Sequence, residues 1–439
     1  MANMQNAKPK VHHAWFVFVG LCFLGVGGFP LIFNLVGIYM VPVSAALGLG
    51  PADFSLWLTA EAVVSLVVMP IAGRLFKKKN INLIMTGGLA ACVLGVAGFS
   101  FATELWQIVA CGALLGIGVP FAFGLPQTVL IGNWFSKKYQ GRMLSIAMAC
   151  LVAAPIFEAP IFTVLLQTFG YQTTYLINAA IIAVLTIPWC LFAFKRAPED
   201  MGLLPYGISE GDTASHASPE EEENDLLVGV SAGTALKTIP FWLTLVAACL
   251  ICFAMGFENY SVVISGEFLP SLTADESALF GSTMISVFSV GSLIGTFLFG
   301  FLLDKIKFKP TFVVFLSLFF VGFLCWAFVR SEAGLLVGAV CLGTHNGLAT
   351  VGFPLLLRRL YGGKNYSVIY SYVNMCSSFI GGFSSAIVGW IFGLFGTFSQ
   401  ALLVGVGIAA VIYLCSMIAT SFIGKIKWPE ASNDGDAVS

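Results

Sequence analysis

The sequence predicts an all-α integral membrane protein with twelve transmembrane helices, arranged as two pseudo-symmetric six-helix halves. Long apolar stretches recur along the chain, and each has roughly the 20 residues that a helix needs to cross a hydrocarbon core. Of the 21 Lys and Arg residues, all but Arg330 lie in every second gap between these stretches or in the two tails. Because short loops rich in Lys and Arg stay on the inner side, we expect a multi-pass protein of the cytoplasmic membrane with both termini in the cytoplasm.

The composition supports this class. Hydrophobic residues make up 58% of the chain and charged residues only 10%, a composition more apolar than a water-soluble protein of this length requires. The polar N-terminus is too long for the start of a cleaved signal peptide, so the first apolar stretch is expected to be retained as a transmembrane helix. In order, the stretches cover residues 15–40, 54–73, 81–101, 105–128, 142–166, 174–194, 241–264, 278–303, 311–328, 335–357, 366–391 and 398–423.

A long polar segment divides the stretches into six and six. It contains the acidic run Glu220–Glu223 and several Ser, Gly and Pro residues, a composition typical of a flexible, solvated linker. The predicted organisation is a six-helix half over residues 1–194, a cytoplasmic linker over 195–240, a second six-helix half over 241–424 and a cytoplasmic tail over 425–439.

A weak internal repeat supports two equivalent halves. The segment Gly73–Lys78 follows the second stretch, and Gly300–Lys305 follows the eighth. Both resemble the Gly-x-Leu-x-Asp-Arg-x-Gly-Arg loop of the major facilitator superfamily, whose alternating-access carriers have two six-helix halves. The first copy has Lys77 at the acidic position, so it lacks the carboxylate of the family's inner-gate ion pair. The resemblance implies a gating role for loop residues Gly73, Arg142, Gly300, Asp304 and Lys305.

Two further loops resemble a narrower group within that superfamily. Asn133–Lys138, followed by Gly141 and Arg142, is similar to the Trp-Phe-x-x-(Lys/Arg)-Arg-Gly loop between helices four and five of oxalate/formate antiporters and monocarboxylate carriers. Pro198–Gly207 is similar to the Pro-Glu-Asp-x-Gly-Leu-x-Pro-x-Gly run after their sixth helix. This resemblance implies an organic anion as substrate and antiport as the mode of transport.

The membrane-embedded charges differ from what this group leads us to expect. Its carboxylate carriers are expected to hold a basic residue in helix eight or eleven, whereas residues 278–303 and 366–391 contain no Lys or Arg. Acids are present instead, because Glu61, Glu158 and Glu258 lie within the second, fifth and seventh stretches. A charge at the bilayer centre costs at least ~2.5 kcal/mol on insertion scales, so each acid must face a wet cavity or a partner.

These acids have two interpretations. A carboxyl group buried without a cation favours its neutral form, so it can load and release a proton near neutral pH, or it can recognise a cationic solute. Alternatively, each acid is a protonated Glu that holds two helices together through a hydrogen bond. The same choice applies to His345 in the tenth stretch, which either relays a proton or contacts an anionic group, or is hydrogen-bonded in the core.

Position adds further candidates, because helices one, four, seven and ten line the central path in the superfamily that the chain resembles. The rings of Phe29, Phe33, Tyr260, Tyr370 and Tyr372 are expected near the cavity. Gly and Pro in the first, fourth and tenth stretches predict bending or close packing. The predicted substrate-binding or proton-coupling residues are Asn34, Glu61, Gln127, Glu158, Glu258, Asn259, Tyr260, His345, Asn346 and Tyr370.

These features predict a secondary transporter and not an enzyme, since the chain has no Gly-x-x-x-x-Gly-Lys-(Ser/Thr) loop for ATP. The expected substrate is a small organic solute, either an organic monocarboxylate or a bulky amphiphile, moved across the lipid bilayer with a coupling proton or a counter-substrate. The alternatives are an efflux carrier for neutral or cationic amphiphiles and a non-transporting membrane sensor that retains the carrier fold. No cofactor, metal or nucleic acid is expected, and the protein is predicted to be a monomer.

Overall fold

The computed structural model describes residues 12–76, 80–207, 229–363 and 365–426, without the side chains of Lys137 and Asp304. Within these ranges, eleven helical units are long and apolar enough to cross a membrane. They are α1 (His13–Leu47), α2 (Pro51–Leu75), α3 (Ile81–Phe99), α4 (Leu105–Trp134), the unit Lys138–Phe192, α7 (Ile239–Phe268), α8 (Ala274–Leu303), α9 (Phe308–Phe328), α10 (Glu332–Tyr361), α11 (Tyr366–Phe395) and α12 (Phe398–Ser421). The prediction of an all-α membrane protein is confirmed.

The unit Lys138–Phe192 contains two crossings. As one continuous helix its 55 residues would be about 80 Å long, more than twice the thickness of a hydrocarbon core. Gly170 interrupts the helix, with a φ of 74° that a residue with a side chain rarely adopts. Near the end of the unit, Leu191 O accepts a hydrogen bond from Asn82, beside the basic loop that precedes α3. The chain has therefore turned back, and residues 138–169 and 171–192 form α5 and α6.

The loops define two sides of the molecule. The basic side carries the helix ends near Lys138 and Lys305, and the opposite side carries the turns near Gly48 and Gly396. Arg330 is the exceptional basic residue on the opposite side, as the sequence shows.

The position of Arg330 has a structural cause. Its guanidinium group lies 3.5 Å from the centre of the Phe268 ring, and it donates hydrogen bonds to Trp326 O and Ser399 Oγ. The carboxylate of Glu267 accepts from the backbone N–H groups of Ser399 and its neighbour at the start of α12. A cation over an aromatic face is attracted to it, so Arg330 joins the end of α9 to α7 and α12.

Glycines allow close packing at equivalent positions of the two halves. A Cβ atom at Gly112 would overlap the backbone carbonyl oxygen of Trp57, where α4 packs on α2. A Cβ atom at Gly343 would overlap the carbonyl oxygen of Phe288, where α10 packs on α8. Small residues let transmembrane backbones approach closely, and here they do so in the second and fourth helix of each half.

The helices α1, α4, α7 and α10 are all interrupted within the membrane region. Irregular backbone at membrane depth is tolerated where it is buried in protein or lines a cavity. Gly and Pro in α1, α4 and α10 predicted bends, and the structure shows interruptions in all three. The interruptions are at Gly28 and Asn34 in α1, at Gly124 in α4, in the 3-10 segment Met255–Tyr260 of α7 and in the π-helical segment Leu348–Gly352 of α10.

The two loops that resemble the narrower carrier group contact each other. Tyr206 N donates to Trp134 O at 2.9 Å, and Ser136 N donates to Tyr206 O at 3.0 Å. The Tyr206 ring packs edge-on against the rings of Trp15 and Phe135, with centroids 5.3 and 5.8 Å away. We name these five residues the N-terminal clasp, because they join the start of α1, the α4–α5 loop and the segment after α6.

The start of the second half has a similar attachment. Val230 N donates to Tyr361 O at 2.9 Å, and the hydroxyl groups of Thr238 and Tyr361 lie 2.6 Å apart. Residues 195–207 therefore attach to the α4–α5 loop, and residues 229–240 attach to the end of α10. The acidic run Glu220–Glu223 and the end of the tail lie outside the described residues, and the domain boundaries remain a prediction.

Candidate functional site

A cavity of about 860 Å³ lies between the two halves. Its walls come from α1, α2, α4 and α5 of the first half and from α7, α8, α10 and α11 of the second. Each of the four interrupted helices contributes residues to it. Pockets of roughly 300–1,000 Å³ suit small organic ligands, so the cavity is large enough for one.

The cavity opens toward the basic side. Its lining includes Met69 near the end of α2 and Met375 near the start of α11, whose exposed fractions are 48% and 51%. On the opposite side the two halves are in contact, where Gln167 Nε2 at the end of α5 donates to Asp275 O at the start of α8. The cavity is therefore open at one end of the molecule and closed at the other.

A cluster of hydroxyl groups closes the opposite end. The hydroxyl group of Tyr260 donates to Ser385 O at 2.8 Å, which joins α7 to α11. Ser55 Oγ, at the start of α2, lies 3.0 Å from Ser385 Oγ and 3.4 Å from Tyr260 Oη. We name Ser55, Tyr260 and Ser385 the closing cluster, because it links the first half to the second.

Glu61 lies on the first-half wall of the cavity. Its side chain is 9% exposed, and Oε1 accepts a hydrogen bond from Ser65 Oγ one turn further along α2, at 2.6 Å. A Cβ atom at Gly116 would lie only 2.6 Å from the backbone oxygen of Glu61, so α4 packs directly on this turn of α2. The acid thus has one intramolecular partner and an open cavity beside it.

Glu258 lies on the second-half wall, within the 3-10 segment of α7. Its Oε1 atom is buried and has no hydrogen-bond partner among the described residues. An unpaired carboxyl oxygen in a buried place is costly, so a proton, water or ligand group must satisfy it. Asn259 follows it and also lines the cavity.

His345 has one defined proton position. Its Nδ1 atom lies 2.9 Å from Leu342 O, and a carbonyl oxygen can only accept, so Nδ1 carries the hydrogen. In the neutral ring Nε2 is then an acceptor. The rings of Phe288 and Phe319 pack at 5.5 and 6.3 Å, while Asn346 next to it donates to Thr296 Oγ1 at 3.0 Å.

The structure brings together six of the predicted site residues in the cavity lining. They are Asn34, Glu61, Glu258, Asn259, His345 and Asn346. None of the described residues that line the cavity is Lys or Arg. The aromatic residues Phe29 and Phe33 also line it, as expected from the sequence.

The other four predicted site residues do not line this cavity. Gln127 is buried, with both polar side-chain atoms unpaired among the described residues, and Glu158 has a buried, unpaired Oε2. Tyr260 belongs to the closing cluster. The half-buried ring of Tyr370 stacks on Tyr366 at 5.8 Å. These unpaired atoms of Gln127 and Glu158 make no hydrogen bond to a neighbouring helix among the described residues. They therefore give no support to the interpretation of either residue as a group that holds two helices together.

The predicted gating residues lie away from the cavity lining. A Cβ atom at Gly73 or Gly300 would meet nothing within 4 Å, so neither glycine is required for close packing here. Arg142 is exposed, and Lys305 Nζ lies 4.4 Å from the centre of the Phe301 ring. The side chain of Asp304 and residue Lys77 lie outside the described part of the chain, so the gating role stays a prediction.

The polar face of α11 is not among the site residues predicted from the sequence. Ser371, Asn374 and Ser378 line the cavity, as do Ser377 and Ser384. The spacings of three, four and seven residues place these side chains on one face of a helix. The sequence shows this periodicity, but a search for charged residues within the apolar stretches does not detect it.

A twelve-helix bundle with a central cavity between two six-helix halves defines a membrane carrier. The family model of the Major Facilitator Superfamily matches residues 21–268 and 246–435, and the chain belongs to this superfamily. The prediction that the chain is a transporter and not an enzyme is thereby confirmed. The likeness to the oxalate/formate and monocarboxylate group remains a prediction.

Relatives with known names cover most of the chain. The sialic acid transporter NanX of Escherichia coli (strain K12) is 24% identical over 96% of this chain and 97% of its own length. A multi-drug resistance efflux pump PmrA homolog of Lactococcus lactis is 22% identical over 85% of each chain.

Solved structures show the same fold. The nucleoside transporter NupG has a TM-score of 0.70 at 12% identity and covers 95% of this chain and 100% of its own. A bacterial homolog of the human lysosomal transporter Spinster has a TM-score of 0.66 at 14% identity and covers 97% of this chain and 100% of its own.

Proposed function

We propose that the protein is a secondary active transporter that moves a small organic solute across the cytoplasmic membrane by alternating access, coupled to protons. The observation that carries the proposal is the cavity between the halves, which is open at one end, closed at the other and contains Glu61, Glu258 and His345, with no Lys or Arg among its described lining residues. The distribution of Lys and Arg supports a cytoplasmic location for the basic side and both termini. In that orientation the cavity faces the cytoplasm.

Glu61 and Glu258 are the groups that we propose for proton coupling. They lie on opposite walls, so each is positioned to interact with a solute held between the halves. An ionised carboxylate at membrane depth without a cation is unfavourable, whereas a protonated carboxyl group carries no charge. Proton binding to Glu61 and Glu258 would therefore favour the change of the loaded carrier from one access state to the other.

The proposed substrate is an organic monocarboxylate taken with a proton, or a bulky amphiphile. Repulsion between two unit charges ~4 Å apart is about 4 kcal/mol at an effective dielectric constant of 20, which corresponds to roughly a thousandfold in affinity. A small dianion such as oxalate would meet Glu61 and Glu258 with His345 as the one possible cation of the described lining. We therefore expect oxalate to bind poorly, although the loop resemblance points to that group.

A second candidate function is efflux of neutral or cationic amphiphiles. It is supported by the acids of the cavity together with the rings of Phe29 and Phe33, whose centroids are 4.5 Å apart and whose planes are tilted by 34°. Aromatic faces and carboxylates attract organic cations. The name of the Lactococcus lactis relative, a multidrug efflux pump, is consistent with this candidate.

Proton coupling is tested with the purified protein in liposomes that contain a pH-sensitive dye. Lactate, benzoate and neutral amphiphiles are added outside, and the pH change in protein-free liposomes is subtracted. We expect Glu258→Gln to abolish the substrate-driven pH change while counterflow of the same substrate persists, because the amide cannot carry the proton. A pH change that survives both Glu61→Gln and Glu258→Gln would contradict the proposal. Glu104→Gln is the control, since Glu104 is exposed and lies outside the cavity lining.

A further inference from the structure

The polar groups of the cavity are concentrated on one wall. On the first half they are Asn34, Glu61 and Ser65. On the second half, α7, α8, α10 and α11 contribute several serines, three asparagines, Glu258 and His345. We name the second-half surface the polar wall, defined by Glu258, Asn259, Ser289, Ser292, His345, Asn346, Ser371, Asn374, Ser377, Ser378 and Ser384.

The facing wall is aromatic. The Phe29 ring lies 4.5 Å from that of Phe33 and 6.1 Å from that of Phe123, and the Phe33 ring stacks on Trp57 at 6.1 Å. Phe29, Phe33 and Phe123 all line the cavity, and we name them the aromatic wall. Their packing on one another fixes the rings, so they present a stable apolar surface opposite the polar wall.

We infer that the substrate is a hydroxyl-rich amphiphile, whose hydroxyl groups bind the polar wall and whose apolar face packs on the aromatic wall. The inference rests on the proposed function and names its substrate class. It applies to a neutral compound and to a hydroxylated monocarboxylate taken with a proton.

The chemistry of the polar wall distinguishes hydroxyl groups from charged ones. Serine hydroxyl and asparagine amide groups both donate and accept hydrogen bonds. A substrate hydroxyl group also does both, so it can pair with either kind of atom. Ser371, Ser377 and Ser384 already donate to carbonyl oxygens of their own helix, so their hydroxyl oxygens remain as acceptors. An ionised carboxylate only accepts and cannot pair with those oxygens, and an ammonium group only donates and cannot pair with the asparagine N–H groups of the wall.

Two atoms on this wall can accept hydrogen bonds from substrate donors. The buried Oε1 atom of Glu258 has no partner among the described residues, and the neutral His345 ring has its remaining acceptor at Nε2. Substrate O–H groups supply such donors without bringing a charge. A site built to hydrogen-bond a hydroxyl group rejects an analogue that lacks it, so this wall would determine specificity.

The test is direct binding to the full-length protein in nanodiscs, with phenyl β-D-glucopyranoside as the probe. This compound has an aromatic ring on one side and four hydroxyl groups on the other. Its tetra-O-methyl derivative keeps the phenyl ring and the pyranoside but is bulkier and has no hydroxyl donor, and glucose keeps the hydroxyl groups but has no aromatic face. We expect both comparison compounds to bind at least about tenfold more weakly than the phenyl glucoside, as the loss of hydrogen bonds or apolar burial predicts.

Single substitutions test which part of the probe binds to each wall. Asn374→Ala is expected to weaken phenyl glucoside binding but not binding of the tetra-O-methyl derivative, and Phe33→Ala to weaken phenyl glucoside but not glucose. Ser145→Ala is the control, because Ser145 is exposed and does not line the cavity.

Equal binding of the methylated and free glycosides, tighter binding of benzoate than of the glucoside, or no glycoside binding would overturn the inference. Proton-linked carboxylate transport that persists without glycoside binding would overturn this substrate class alone, whereas glycoside binding without proton flux would overturn the coupling alone.

Discussion

Gly389 is a residue on which closure of the opposite end depends. It lies on α11 where that helix meets α2, and a Cβ atom there would overlap the hydroxyl oxygen of Tyr260 and lie 2.8 Å from Ala52 Cα. The backbone of α2 leaves no room for the extra atom. Glycine at this position therefore lets α2, α7 and α11 meet around the closing cluster.

Replacing Gly389 with Ala is expected to destabilise this conformation. Overpacking in a well-packed site costs about 1–3 kcal/mol, so the apparent Tm of the purified protein should fall by several degrees. Gly393→Ala is the matched control one turn further along α11, because a Cβ atom there meets nothing within 4 Å. If the two variants melt at the same temperature, the closing cluster is not as tightly packed as described.

At the residue scale, two of the three acids singled out in the sequence line the cavity, whereas Glu158 does not. Glu61 and Glu258 were identifiable because a carboxyl group in an apolar stretch is expensive and requires an explanation. Tyr260 was expected near the cavity but lies in the closing cluster. A tyrosine side chain suits either environment, so its residue type does not distinguish them. Which of the two it occupies depends on Ser55 and Ser385, whose contacts with it link residues far apart in the chain.

At the scale of elements, the N-terminal clasp connects loops that the sequence presents as separate motifs. Tyr206 supplies both backbone bonds to the α4–α5 loop and the ring that packs on Trp15 and Phe135. Each motif was visible in the sequence as a resemblance. Their mutual contact was not, because about 70 residues and two transmembrane helices separate them.

Loss of the Tyr206 ring is expected to weaken the clasp. Tyr206→Ala removes several aromatic contacts, and replacing a packed aromatic residue with Ala costs roughly 3–5 kcal/mol when it is buried and less at this half-buried position. Tyr206→Phe keeps the ring and should leave the apparent Tm nearly unchanged. An equal fall in both variants would assign the effect to the hydroxyl group and contradict a role for ring packing.

The interruptions of α1, α4, α7 and α10 were predictable only in part. Glycine and proline indicated bends in α1, α4 and α10, because these residues weaken or break a helix. The 3-10 segment of α7 contains Gly256 but no proline, and only its position beside the cavity accounts for the irregular backbone. It places Glu258 and Asn259 in the cavity lining.

At the scale of the whole molecule, the two halves touch at one end and are separated by a cavity at the other. The number of helices and their division into halves follow from apolar length and the alternation of basic loops, so the sequence predicts them well. The open end does not follow from the sequence, because the same residues must support both an open and a closed arrangement. Alternating access requires that these ends exchange roles.

Distances between the halves therefore test the central claim most directly. Spin labels are placed on exposed positions in pairs, at Lys138 and Lys309 on the basic side and at Thr168 and Asp275 on the opposite side, after replacement of the native cysteines. Double electron–electron resonance is recorded in nanodiscs at about pH 8 and about pH 5, a range in which His and perturbed carboxyl groups titrate, with and without phenyl β-D-glucopyranoside. The account predicts that a population appears with a shorter distance on the basic side and a longer one on the opposite side, and that the two changes occur together. Distances that stay fixed under all conditions, or that lengthen or shorten together at both ends, would contradict an alternating-access carrier.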